Sequence, residues 1–199
     1  MHHTIFDTPV INVLMHWFSR MALRLTGWRV VGGAPTVPQY VLIAAPHTSN
    51  WDFPLALMVS FALRLRVYWM GKDSLFPPLV GGVMRWLGGI PVNRARSGNL
   101  VQATVDAYNS NARLIVIVPP EGTRSKVTQW KTGFYYIAQG AGVPIALGYL
   151  DFRKKEAGLS RMFQPSGDIA ADMVEIQAFY AGITGKNPGK FDGGTAPEK

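Results

Sequence analysis

Cysteine is absent from this 199-residue chain. That excludes a disulfide framework, thiolate metal ligation and a cysteine nucleophile, and it is compatible with a reducing compartment. Neither a GxGxxG fingerprint nor a Walker loop is present, so a dinucleotide or P-loop site has no support. The histidines are scattered rather than set at metal-ligand spacing. The start, Met1 to Asp7, lacks the basic region of a secretory leader. No stretch offers the roughly 20 mostly apolar residues of a membrane-spanning helix without a polar stripe.

Acidic residues are scarce: 12 Asp and Glu against 20 Lys and Arg leave a net charge of +8. Such an excess suits an anionic partner, whether nucleic acid, a membrane surface or a phosphorylated substrate. Nucleic acid is the weakest of the three. The basic residues gather at strand ends and in the C-terminal tail, not among aromatics at stacking positions. Hydrophobic residues make up 48% of the chain, enough for one domain with a sizeable core.

What is present is organised around Ala45-Pro46-His47-Thr48-Ser49-Asn50-Trp51-Asp52. A buried-type strand, Tyr40 to Ala45, leads into it, and a helical stretch from Trp51 to Leu65 leads out. His47 has a near-neutral reference pKa and can give and take a proton. Asp52 can orient the imidazole and support its charge, the base-plus-orienter half of a triad. Asp52 can equally be a first-turn acid of the helix, with Ser49 or Asn50 as its cap.

The same plan recurs along the chain. Arg66 to Met70 reads as a core strand, followed by a turn carrying Lys72. Gly88 to Val92 leads to Arg94, with Arg96 as its alternative. Leu114 to Val118 runs into Pro119-Pro120-Glu121-Gly122-Thr123-Arg124-Ser125, and Lys126 and Lys131 add positive potential. Arg94 and Arg124 can each grip a phosphate with a two-donor fork. Glu121 can alternatively form an ion pair with Arg124 that shapes the loop. Helices are expected at 100–108, 129–139 and 169–180, a further strand at 143–149, and an edge strand at 161–164 after a charged loop. Strand, charged turn and helix in repeated order predict an α/β fold with ligands beyond the strand ends. In full, the expected fold is a mixed, largely parallel sheet flanked by helices, with an N-terminal amphipathic helix.

That helix covers about Val10 to Trp28. On a helical wheel Ile11, Leu14, Met15, Trp17, Phe18, Met21, Ala22 and Leu25 share one face; Asn12, His16, Ser19, Arg20 and Arg24 share the other. Val13 and Leu23 fall on the polar side. Such a stripe suits either an interfacial membrane helix or a helix lying on the domain's own core. Residues 1–27 are accordingly assigned to a membrane-associating helix, 28–183 to the main domain, and the Gly-, Pro- and Lys-rich 184–199 to a flexible tail.

These motifs resemble those of the glycerolipid acyltransferases, in particular the bacterial 1-acylglycerol-3-phosphate acyltransferases. The HxxxxD block is His47 to Asp52, and Gly89-Ile90-Pro91-Val92-Asn93-Arg94 corresponds to the second block. Pro-Glu-Gly-Thr-Arg-Ser stands unaltered as 120–125, and Val143-Pro144-Ile145 is similar to the fourth block. The sequence departs from the pattern at Pro46, Asn93 and Ala146-Leu147. The resemblance implies acyl transfer from acyl-CoA or acyl carrier protein to a lysophospholipid hydroxyl, with 1-acylglycerol-3-phosphate as the leading acceptor. It implies His47 as general base and Asp52 as its partner, with Lys72, Arg94, Glu121, Gly122, Thr123 and Arg124 in the acceptor's phosphate pocket. It implies no cofactor and no metal. The enzyme would be a peripheral or monotopic one at the cytoplasmic face of the membrane, its partners being membrane lipids and the donor. The apolar segment Leu75 to Leu87 is one candidate lining for the acyl chain. Two alternatives stand beside this reading: another lysolipid or glycolipid acceptor, and a membrane-surface binding protein without catalysis.

Overall fold

The computed structural model describes residues 1–92 and 98–191, with 98 and 99 described by backbone alone. Seven strands form one sheet: β1 (Arg29–Val31), β2 (Gln39–Ala45), β3 (Tyr68–Lys72), β4 (Gly89–Val92), β5 (Leu114–Val118), β6 (Ile145–Asp151) and β7 (Glu156–Phe163). Their order across the sheet is β1-β7-β6-β2-β5-β3-β4. All neighbouring pairs are parallel except β6 with β7, which form an antiparallel hairpin. β2, β3, β4, β5 and β6 therefore end at one edge of the sheet, and the charged turns meet there. The expected mixed, largely parallel α/β architecture is the one observed.

Six α-helices are described: α1 (Pro9–Leu25), α2 (Asp52–Ala62), α3 (Gly81–Trp86), α4 (Gly98–Asn109), α5 (Gly133–Ala141) and α6 (Ile169–Tyr180). Central β2 shows how the two layers are filled. Val41, Ile43 and Ala45 face one side, where Phe134, Tyr135 and Ile137 of α5 and Met173, Ile176 and Tyr180 of α6 complete the larger core. Tyr40 and Leu42 face the other, against Phe61 of α2 and, from the N-terminus, Ile5 and Phe6. The alternation follows from the period-two geometry of a strand buried on both faces. α6 is tied down by Asp172, which accepts hydrogen bonds from Tyr135 Oη (2.7 Å), Ser166 N (2.7 Å) and Ser166 Oγ (2.7 Å). Burial alone would raise the Asp172 pKa; these donors outweigh it and hold the carboxyl below its ordinary value.

Several expectations need correction. The edge strand expected at 161–164 is the longer β7, and it lies inside the sheet between β1 and β6. The helix expected from 129 begins at Gly133, because residues up to 132 extend the preceding loop. α1 is inverted relative to the core-facing reading of its apolar stripe. Its buried residues are His16, Ser19 and Leu23, two from the polar side and one that broke the pattern. His16 Nδ1 donates to the Phe61 carbonyl at 2.9 Å, which satisfies a polar group at the α1–α2 seam. The apolar residues Val10, Val13, Leu14, Trp17, Phe18, Met21 and Leu25 are exposed.

The two ends of the chain are also more integrated than their composition suggested. Ile5, Phe6 and Leu23 are core residues, Arg66 Nε pairs with Asp7 Oδ1 at 2.8 Å, and Tyr68 Oη donates to the His2 carbonyl at 2.9 Å. Residues 1–27 are thus part of the folded domain as well as the carrier of the apolar face. At the other end a tail was expected from Thr184; up to Phe191 the chain instead packs back onto the domain, with Phe152 N–H donating to the Thr184 carbonyl at 2.8 Å. Residues 192–199 lie outside the described residues.

Candidate active site

β2 delivers His47 just beyond its last residue, Ala45, and α2 begins at Asp52. His47 Nδ1 lies 3.2 Å from Asp52 Oδ2. The same oxygen accepts hydrogen bonds from the backbone N–H of Thr48 and of Ser49, each at 2.8 Å. Asp52 therefore reaches back and closes the turn on itself, doing the work expected of a Ser49 or Asn50 cap. Ser49 Oγ accepts from Trp51 N–H at 3.2 Å, a subsidiary contact. Asp52 is buried, whereas the His47 side chain retains 20% of its exposure. An imidazole that gives its Nδ1–H to a carboxylate keeps its Nε2 lone pair for a substrate proton.

The turn after β5 is fastened to this one. The buried Glu121 accepts from His47 N–H through Oε1 at 2.8 Å. Gly122 adopts a left-handed conformation (φ +65°), and a Cβ there would meet the Lys131 side chain at about 3.0 Å. The positive φ is what favours glycine here, since the end of the Lys131 side chain can shift. Lys131 N–H in turn donates to the Pro120 carbonyl at 2.8 Å.

A cavity of about 940 Å³ opens over these turns, at the upper end of small-molecule pockets. Its polar end is lined by His47, Asp52, Lys72, Gly122, Thr123, Arg124 and Lys131. Its apolar reach passes between α2 and the sheet, along Leu42, Ala44, Phe53, Ala56, Leu57, Trp69, Ile117 and Leu159. Gly71 and Gly148 also line it on the α2-facing side of β3 and β6, where a Cβ would collide with the Trp69 and Leu42 side chains. The Trp69 ring, wedged between Phe53 and Phe76, forms part of the wall and donates through Nε1 to the Leu87 carbonyl at 2.9 Å.

Of the residues expected at the site, His47, Asp52, Lys72, Gly122, Thr123 and Arg124 thus share one cavity. Glu121 does not line it; it sits behind the turn and holds the His47 amide. Arg94, and its alternative Arg96, lie outside the described residues. Of the segment Leu75 to Leu87, only Leu75 reaches the cavity, and Leu79 is 96% exposed. The apolar space is supplied by α2 and the sheet instead, with Leu100 and Val101 of α4 and Phe134 and Ile137 of α5. Lys131 had been read only as background potential. Its lone sequence signal was position, since nothing but the glycine beneath it marks a lysine that folds back over the turn.

Among the described residues no cluster could hold a metal ion, and no helix is long and apolar enough to cross a membrane. A family model described as Acyltransferase matches residues 29–146, more than half of the chain. Among curated proteins none matches. In fold the chain is similar to the 1-acyl-sn-glycerophosphate (LPA) acyltransferase PlsC from Thermotoga maritima. The TM-score is 0.56 at 20% identity, over 85% of this chain and 76% of that one.

Proposed function

This chain belongs to the acyltransferase family, and from that premise we propose that it moves an acyl group from a thioester to the free hydroxyl of a lysophospholipid. The observation that carries the reading is the His47–Asp52 pair where the cavity's cationic end meets its apolar reach. A lipid acceptor and an acyl thioester each have one polar and one apolar end, and the reacting atoms lie at the junction. His47 Nε2 takes the proton from the acceptor hydroxyl. The oxygen attacks the thioester carbonyl, the C–S bond breaks, and the imidazolium returns its proton to the departing thiolate. Asp52 supports the imidazolium while it exists. No covalent acyl-enzyme is needed. The donor is acyl-CoA or acyl carrier protein.

Lys72, Arg124 and Lys131 give the polar end three cations, which suits a phosphate on the acceptor and favours 1-acylglycerol-3-phosphate, the substrate class in the name of the Thermotoga relative. A panel of lysolipids with and without a phosphate monoester, each with acyl-CoA and acyl carrier protein donors, tests this. Arg124→Ala and Lys131→Ala are each expected to lower kcat/KM for the phosphate-bearing acceptor about tenfold to a hundredfold, the worth of one charge-assisted bond. Hydrolysis of the thioester without acceptor should change far less. Equal use of acceptors without phosphate, untouched by either substitution, would transfer the proposal to a glycolipid or other lysolipid.

The exposed face of α1 supports a seat on the bilayer. Leu14, Trp17, Phe18, Met21 and Leu25 are between 51% and 79% exposed, and Arg20 and Arg24 flank them. Aromatic and aliphatic side chains beside arginines are the composition of an interfacial helix on an anionic surface. Because residues 1–27 also supply core side chains, truncation would test folding rather than binding. The informative variant is Leu14→Ser with Trp17→Ser and Phe18→Ser, all three on the surface. Complete burial of each original side chain is worth about 1.5–3 kcal/mol, so even partial insertion predicts at least tenfold weaker binding to vesicles containing phosphatidylglycerol. Sedimentation with such vesicles measures it. Undiminished binding, or a wild-type dimer that the variant dissociates, would assign the face to something other than lipid.

A further inference from the structure

The segment 184–191 touches both turns that carry the site. Gly185 is buried against the first; a Cβ there would meet Thr48 Oγ1 at 2.8 Å and Pro46 Cβ at 3.0 Å. Asn187 holds Thr48 twice: its backbone N–H donates to Thr48 Oγ1 at 3.2 Å and its Nδ2 donates to the Thr48 carbonyl at 2.8 Å. Between them the Lys186 ammonium lies 4.9 Å from the Trp51 ring and 5.9 Å from that of Phe152. Phe191 packs on Trp130, the neighbour of Lys131, with ring centroids 6.4 Å apart.

We propose that residues 184–191 are a strap that fixes the His47–Asp52 turn, with Asn187 as its positioning residue. The inference rests on the acyl-transfer reading above. Thr48 gives its N–H to the Asp52 oxygen that also meets His47, so the place of Thr48 sets the place of the carboxylate. Seen from Asn187, the path is two hydrogen bonds to Thr48, one from Thr48 to Asp52, and the 3.2 Å contact of Asp52 Oδ2 with the imidazole Nδ1. A strap of this kind acts on the geometry of the proton transfer and not on substrate binding. Loss of orientation at a general base falls on kcat.

Asn187→Ala removes the side-chain bond, and Gly185→Ala wedges the strap off Thr48 by an independent steric route. Asn187 is exposed, so its substitution leaves the core untouched. Each variant is expected to show kcat lowered about three- to tenfold with both KM values within about twofold of wild type. Amide exchange at Thr48 and Ser49 should quicken in parallel. A lowered melting temperature with kcat and exchange unchanged would reduce the strap to a stability element and overturn the proposal, as would an effect confined to KM. Wild-type protein that transfers no acyl group from thioester to any lysolipid would instead overturn the acyl-transfer reading itself, and the strap's role with it.

Discussion

Purified His47→Ala is expected to lose acyl transfer by at least roughly a thousandfold, within the range a positioned general base supplies. Folding and vesicle binding should be nearly unchanged. The ring is partly exposed at the cavity mouth, and the bond from Glu121 is made to the His47 backbone N–H, which alanine keeps. The measurement is thiol release from acyl-CoA in the presence and absence of lysolipid, with a melting curve as control. Loss confined to the acceptor-dependent rate would locate the histidine at the hydroxyl. Turnover near wild type would sink the general-base assignment, and the silent surface-binding reading would gain if the wild type were equally inactive.

Some of this was legible before any coordinates. β5 is an unbroken apolar run between Arg113 and Pro119, and its limits fall at Leu114 and Val118 as expected. α6 starts at Ile169 as expected; Asp168 caps it by accepting from the N–H groups of Ala170 and Ala171, a local signal that needs no tertiary partner. The site was legible for a different reason. His47 and Asp52 are joined by one short turn, and parallel strands must deliver their trailing turns to one edge. Three of the four turns expected to converge are seen to do so; the fourth, carrying Arg94, lies outside the described residues.

The misreadings share a physical cause: each depended on what an element meets, which periodicity does not encode. The α1 wheel separates an apolar from a polar face, but a protein core and a bilayer reward the same stripe. The burial of His16 and Ser19, with the His16–Phe61 hydrogen bond, shows that the polar side turns inward. β7 begins with Glu156-Ala157-Gly158, poor strand formers after a charged turn, and pairing with β1 on one side and β6 on the other overrides that propensity. The Thr184–Phe191 segment has the composition of a solvated tail. Gly185 packs against Thr48 where a Cβ would collide, so a feature that suggested freedom is one that permits the contact.

Asp52→Asn is expected to retain more activity than the analogous change in a serine-protease triad, and the reason lies in the donors around Oδ2. In such a triad the amide traps the wrong histidine tautomer and costs about ten-thousandfold. Here Thr48 N–H and Ser49 N–H both point at the Oδ2 position, so an asparagine places its carbonyl oxygen there and its NH2 group away from them. That oxygen still accepts from His47 Nδ1–H, and the productive tautomer survives. What disappears is the negative charge beside the imidazolium, worth roughly 1.5–3 kcal/mol for a charge-assisted bond, or about tenfold to a hundred-and-fiftyfold in kcat. Asp52→Ala, which leaves both backbone donors without their acceptor and frees the ring, should be worse than Asp52→Asn. Measured kcat at saturating donor and acceptor for the three proteins decides the matter. If Asp52→Asn is as inactive as His47→Ala, the amide has turned its NH2 toward the histidine and the backbone donors do not set its orientation; if its kcat matches that of the wild type, Asp52 does not support the charge on His47.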